Sequence, residues 1–289
     1  MIVECSRPRL LPSVQRSGNR MIDRALGRSI DLNDTAKHIV YGIDGTTSVR
    51  EIASGLSQQF GVGERRALAD TTKLIEALYR GGLIRAHPPW RYWLAYLVVT
   101  LRTFDVGFLR GLVFARKRVD ILGGGFFVIF AQVAIRISVK YWWLVAYMFL
   151  VGGAPLLLVG GAAHTLLAPL VLCSVMLLGL SLHESAHLYV LRRRSSDRWL
   201  GYLSFSSIKV SIRRPRVDSE ELDHEVAVSG PLCPVICGVV LIALNAIHPS
   251  FLLAASGLLL TVHVLSLLPP SSDGKKLFSY AFAQRQTEG

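Results

Sequence analysis

Apolar residues fall into two regimes along this chain. Over residues 1–87 they recur between polar ones at the two- and four-residue spacings of small soluble elements, whereas most of 90–268 is dominated by them. The first regime predicts short strands at 10–15, 21–26 and 29–32, with a turn at Ser17-Gly18-Asn19. Asn33 is placed to cap a helix that runs to Ile43 and stops at Asp44-Gly45. Ser48-Val49-Arg50-Glu51 has the form of a capping box, followed by Ile52, Leu56 and Phe60 on one helical face. Leu68, Leu74, Ile75 and Leu78 mark a third helix, ended by Gly81-Gly82. Pro88-Pro89 then closes an α+β domain of three short strands and three helices at 1–87.

The second regime is read against the thickness of a bilayer. Residues 90–119 mix Trp, Tyr and Leu with Arg102, Asp105 and Arg110, which suits an interface. Gly123-Gly124-Gly125 and Arg136 weaken 121–139 as a span, so 88–140 is expected to be an interfacial, amphipathic linker. Spans are predicted at 141–159, 166–190, 226–247 and 251–268, in a domain covering 141–289. Between the second and third, Ile208, Val210 and Ile212 alternate with Lys209, Ser211 and Arg213, a strand-like insert in an otherwise all-α polytopic domain. Pro269-Pro270 breaks the last span.

Composition and charge sharpen this picture. The chain has 289 residues, 51% of them hydrophobic, and a formal charge of +12. Arg116-Lys117-Arg118, Arg192-Arg193-Arg194 and Arg213-Arg214-Pro215-Arg216 sit at the ends of apolar segments, where positive charge marks the cytoplasmic side. The 1–87 region has no strongly basic helix, so nucleic acid is not an expected partner. The N-terminus has no sustained apolar core of a signal peptide, which predicts a cytoplasmic first domain on a multi-pass inner-membrane protein. Cys5, Cys173, Cys233 and Cys237 make no disulfide framework and read as small buried side chains.

Candidate chemistry lies in the second predicted span. His183-Glu184-Ser185-Ala186-His187 places two imidazoles one helical turn apart, able to share a metal ion, with Glu184 positioned as a base for an activated water. Ionisable residues inside an apolar helix are costly and usually mark function. Tetrahedral zinc needs a further protein ligand beyond two histidines and a water. Alternation of the spans puts Asp273 on the same membrane side, after a Pro-broken helix where irregular backbone can line a cavity. Asp273-Gly274 is also an ordinary turn sequence when read alone. His263 reads either as a helper at the site or as a hydrogen-bonded membrane histidine, and His164 as structural.

Two resemblances follow from these residues. Leu32-Asn33-Asp34-Thr35-Ala36, the stretch from Ile43 to Ala53, Phe60-Gly61-Val62 and the stretch from Leu78 to Ile84 resemble PqqD-like precursor-peptide recognition elements, over most of 8–86. That resemblance implies a winged-helix fold in which a leader peptide adds as a strand beside the third strand. A winged helix that binds nucleic acid is the bland alternative. The His-Glu-x-x-His segment, the strand-like insert, Ser229-Gly230-Pro231 and Leu267-Leu268-Pro269 through Asp273-Gly274 resemble site-2 proteases, over roughly 141–276. This implies an intramembrane zinc metalloprotease with His183, His187 and Asp273 on Zn2+ and Glu184 as general base and acid. It further implies an extended substrate paired with the insert. Ser266 stands where that family has Asn, and the Pro-to-Asp spacing is one residue shorter; Ser266 and His263 are the expected substrate or transition-state contacts.

Together the resemblances imply cleavage of a precursor peptide, held by residues 1–87, in the maturation of a ribosomally made modified peptide. A peptide exporter or modifying enzymes are the further expected partners, beside the bilayer. The alternatives are regulated intramembrane proteolysis of a signalling protein, or a non-catalytic membrane anchor for a leader peptide.

Overall fold

A computed structural model describes residues 4–87, 117–148, 150–151, 163–195, 197–206, 210–215, 219–269 and 271–278. The chain divides into two compact units, Met1–Asp120 with Trp199–Pro215 and Ile121–Arg198 with Arg216–Gly289.

The first unit opens with β1 (Arg7–Leu10), β2 (Val14–Ser17), β3 (Arg20–Asp23) and β4 (Arg28–Asp31). The strand expected at 10–15 is therefore split. Pro12 has no N–H to give a ladder, and the backbone turns there, with Val14 N bonded to Leu11 O at 2.9 Å. Strands β2, β3 and β4 form an antiparallel meander whose turns use Gly18 and Gly27 at positive φ. Helices α1 (Asp34–Tyr41), α2 (Val49–Phe60) and α3 (Glu64–Arg80) follow, and β5 (Ile84–His87) returns to pair with β1. Both expected caps form: Asn33 Oδ1 accepts from Ala36 N at 2.8 Å, and Ser48 and Glu51 make a reciprocal box. Met21, Ile39, Ile43, Leu56 and Ile75 are fully enclosed in the core, each contributing roughly 1.5–3 kcal/mol.

The insert joins this same unit. Strand β6 (Lys117–Val119) pairs with β7 (Tyr202–Phe205), which pairs with β8 (Val210–Arg213), all antiparallel. Sequence reading placed 117–119 in a linker and the insert in the membrane domain, and the structure differs on both. Ile208 and Lys209 of the expected alternation lie outside the described residues, as does the whole of 88–116.

The second unit is helical: α4 (Phe126–Met148), α5 (Ala163–Ser195), α6 (Glu220–Ile247), α7 (Phe251–Thr261), a 3-10 turn Val262–Leu267 and a short helix Ser272–Phe278. Three of these are long and apolar enough to cross a membrane, and a fourth if the bent pair Phe251–Leu267 and Ser272–Phe278 counts as one span. The first of these candidates, Phe126–Tyr147, thus begins well upstream of the expected 141–159, and 126–139 belongs to a helix long and apolar enough to cross a membrane. The reason is visible in its packing: Ile129, Val133, Ile137 and Tyr141 recur every fourth residue and are buried, while Arg136 lies on the exposed side. The three glycines end before the helix begins, and Gln132 bonds back to Leu122 N at 2.9 Å to hold its start. Residues 152–159 of the expected span fall outside the described set. Helices α6 and α7 approach closely through small residues, since a Cβ on Gly238 would lie 2.7 Å from Gly257 O.

Candidate metal centre

Helix α5 carries the histidine pair where its whole circumference is covered. His183, Glu184 and His187 are 7%, 6% and 6% exposed, and Ser185 and Leu188 are fully buried. Ser181 and Ser185 keep their hydroxyls inside the helix, donating to Leu177 O and Ser181 O, so neither leaves an unmet polar group beside the site.

The rings of His183 and His187 turn their Nε2 atoms toward each other, 3.1 Å apart. Asp273 Oδ2 sits 3.3 Å from His183 Nε2 and 3.4 Å from His187 Nε2. A tetrahedral zinc with ligands near 2.0–2.1 Å has edges of about 3.3 Å between donor atoms. The three observed separations have the length of such edges. Among the described residues this is the group of three donors close enough for one ion.

The surroundings fit the same occupant. His187 Nδ1–H donates to Val226 O of α6, which fixes the ring's tautomer and leaves Nε2 as a lone pair. Gly230, one turn further along α6, faces that ring so closely that a Cβ there would lie 2.3 Å from His187 Cε1 and Nε2. Gly274 likewise presses on the Leu268 carbonyl, where a Cβ would come within 2.4 Å. Both glycines are close-approach positions, one clearing the ligand face and one folding the Asp273 turn.

That turn is built by serines. Ser266 Oγ donates to His263 O at 2.7 Å, Ser271 Oγ donates to Ser266 O, and Gly274 N donates to Ser271 Oγ at 2.9 Å. The hydroxyl at Ser266 is thereby directed to the backbone. His263 is the side chain from this segment that reaches the histidine pair, its ring centroid 5.7 Å from that of His183. It fits against Gly179 of α5, where a Cβ would meet His263 Cε1 at 2.9 Å, and its Nδ1 lies 3.2 Å from Leu260 O.

Sequence reading singled out His183, Glu184, His187, Asp273, His263 and Ser266, and the structure gathers the three candidate metal ligands, His183, His187 and Asp273, with His263. Val226 and Gly179 were missed. Val226 acts through its carbonyl, which no residue pattern reports, and Gly179 is one of several glycines in apolar helices. Arg192 and Arg194 were read only as topology signals. Arg192 also donates to Ile121 O at 2.9 Å, and Arg194 pairs with Glu225 at 3.0 Å, so both brace the base of α5.

Residues 17–84 match the family model of PqqD, coenzyme PQQ synthesis protein D. No curated protein and no solved structure matches the chain.

Proposed function

We propose that this chain is a membrane-embedded zinc metalloprotease that cleaves a precursor peptide during maturation of a ribosomally made, modified peptide. The observation that carries the reading is the near-equilateral arrangement of His183 Nε2, His187 Nε2 and Asp273 Oδ2 inside an apolar bundle. A buried structural site would use four protein ligands, whereas three leave one position open for chemistry.

Zinc in such a site supplies Lewis-acid polarisation of a carbonyl and acidifies water near neutral pH. Glu184, next to the first ligand, takes the proton of the attacking water as its oxygen bonds to the peptide carbonyl carbon. When the C–N bond breaks, Glu184 returns that proton to the amine nitrogen. His187 is held in the ligating tautomer by Val226, and Ser266 serves as a positioning residue for the turn that carries Asp273. His263, its ring 5.7 Å from that of His183, takes the substrate-facing role.

The PqqD-like region supports the choice of substrate. Strand β4 pairs only with β3 among the described residues, and all four of its side chains are exposed. A free edge of this kind accepts a peptide strand through main-chain hydrogen bonds. Holding the leader there raises the local concentration of substrate for a slow membrane reaction. The Arg192–Arg194 cluster at the end of α5 supports assigning the site, and with it the N-terminal domain, to the cytoplasmic side.

The test uses the purified full chain in detergent, with a leader-bearing precursor peptide as probe. About one zinc per chain is expected. Cleavage should stop on chelation and return with added zinc. Zinc-loaded protein that leaves the precursor intact would overturn the reading.

A further inference from the structure

Within the first unit, two three-stranded sheets meet end to end. One is the β2–β3–β4 meander and the other is the insert, β6–β7–β8. A contact joins each pair of strands across the junction. At β6 and β2, Ser13 N donates to Asp120 Oδ2 at 3.1 Å, and Arg118 donates to Ser13 Oγ at 2.6 Å. At β7 and β3, Gly201 N donates to Ala25 O at 2.9 Å. At β8 and β4, a Cβ on Gly27 would lie 4.0 Å from Pro215 Cβ. Arg118 ties the first two pairs together, since it also grips Asp23, the last residue of β3, at 2.8 and 2.9 Å.

These contacts fix order and direction together. The strands meet in the same order in both sheets, so the outer edges of β4 and β8 fall on one side of the junction. Asp120 follows β6 and Ser13 precedes β2; Gly201 precedes β7 and Ala25 follows β3; Pro215 follows β8 and Gly27 precedes β4. Each insert strand therefore runs in the same sense as the meander strand it meets, with β8 entering the junction and β4 leaving it. Among the described residues neither edge has a further strand. Together they present the backbone of Val210–Arg213 and then of Arg28–Asp31, four residues each. The strand residues that flank the junction are basic. Arg213 is exposed, and the Arg28 side chain is half-exposed although it lies 3.4 Å from the enclosed Asp23.

We propose that β8 and β4 form one interrupted docking edge for a single extended stretch of the precursor peptide, about ten to twelve residues long, with an acidic residue near its middle. Both sheets are antiparallel throughout, and antiparallel pairing is the more stable kind. A peptide antiparallel to β4 leaves it at Arg28, crosses at Gly27 and Pro215, and continues antiparallel to β8 from Arg213 to Val210. Its N-terminal part thus lies on β4 and its C-terminal part on β8. An acidic side chain at the crossing meets Arg28 and Arg213, which gives the site a charge preference. The inference rests on the leader-binding reading of β4 and adds to it a second strand, a polarity and a charge. It is independent of the metal site.

Crosslinking on the full chain in detergent tests it, with a leader-bearing precursor peptide as probe and Glu184→Gln as background to keep the peptide whole. One variant carries photoreactive benzoylphenylalanine in place of Ser29 in β4, the other in place of Ser211 in β8. Mass spectrometry of the adducts identifies the peptide residues reached. Both positions should capture the same peptide, and Ser211 should capture residues about five or more positions nearer its C-terminus than Ser29 does. Capture at Ser29 but not at Ser211, or the reverse polarity, overturns the proposal and leaves leader binding at β4 standing. Capture at neither position overturns both. Arg213→Glu should weaken peptide binding by about tenfold at low salt, and replacing the acidic residue at the crossing by Lys should restore it. An affinity indifferent to both changes overturns the charge preference.

Discussion

At the scale of single residues, the histidine pair was legible because helical geometry makes four-residue spacing a statement about one face. Asp273 was legible only through alternation of spans, and the structure places its carboxylate within 3.4 Å of both imidazoles. What the sequence concealed is what clears and aligns the ligands. Gly230 sits in a Ser-Gly-Pro stretch that gives no hint of His187, yet a Cβ there would lie 2.3 Å from the ring. Gly230→Ala is expected to displace His187 and lower zinc affinity by about 10–100-fold, the scale of lost outer-shell support. Competitive chelation measures it; an unchanged affinity would mean that the ring does not rest on Gly230. Asp273→Ala removes one of the three proposed ligands and should cost more. Ser266→Ala should weaken the site less than Asp273→Ala, since it loosens the turn and leaves the donor set whole.

Elements with local causes were the most readable. Asn33 and Ser48 cap α1 and α2 as their sequences predict, because a cap is decided within four residues. Asn33→Ala should cost about 1 kcal/mol and raise proteolysis of the N-terminal unit accordingly. The carboxyl of Glu51 is held below its ordinary value by the Ser48 N–H, and Asp44 is held well below by the N–H groups of Thr47 and then Thr46. Depressed carboxylates contribute stability that is full above the ordinary carboxylate pKa and lost as pH falls through the lower folded value. Thermal unfolding of the unit should therefore soften only well into the acid range, below pH of about 4. Strand β6 and helix α4 were misjudged for opposite reasons. The partner of β6 is more than eighty residues away along the chain, at Leu203–Phe205, so no local pattern reveals it. For α4, Arg136 counted against a span, but one charge on the exposed side of a helix does not interrupt a buried stripe of every fourth residue.

For the whole molecule, hydropathy separated the short strands and helices of residues 4–87 from later helices long and apolar enough to cross a bilayer. The assignment of the insert was not legible, since it rests on long-range contacts: the β6–β7 pairing, the Gly201–Ala25 backbone bond, and Arg118, whose buried side chain bonds Asp23, Asp120 and Ser13. Removing that charge leaves Asp120 without its arginine and leaves Asp23 with the half-exposed Arg28, 3.4 Å away. Arg118→Met should destabilise the first unit by roughly 3–5 kcal/mol, whereas replacing all three by apolar residues of similar volume should be far milder. Denaturant unfolding of the full chain distinguishes the two.

In the proposed function, the His183–His187–Asp273 site hydrolyses a peptide bond with Glu184 as its base. The deciding experiment purifies wild type and Glu184→Gln, measures zinc in each, and follows cleavage of a leader-bearing precursor peptide. Both proteins are predicted to hold the same zinc, while the variant cleaves slower by about 10²–10⁴-fold. Equal cleavage by the two proteins, or none by zinc-loaded wild type, would contradict the claim.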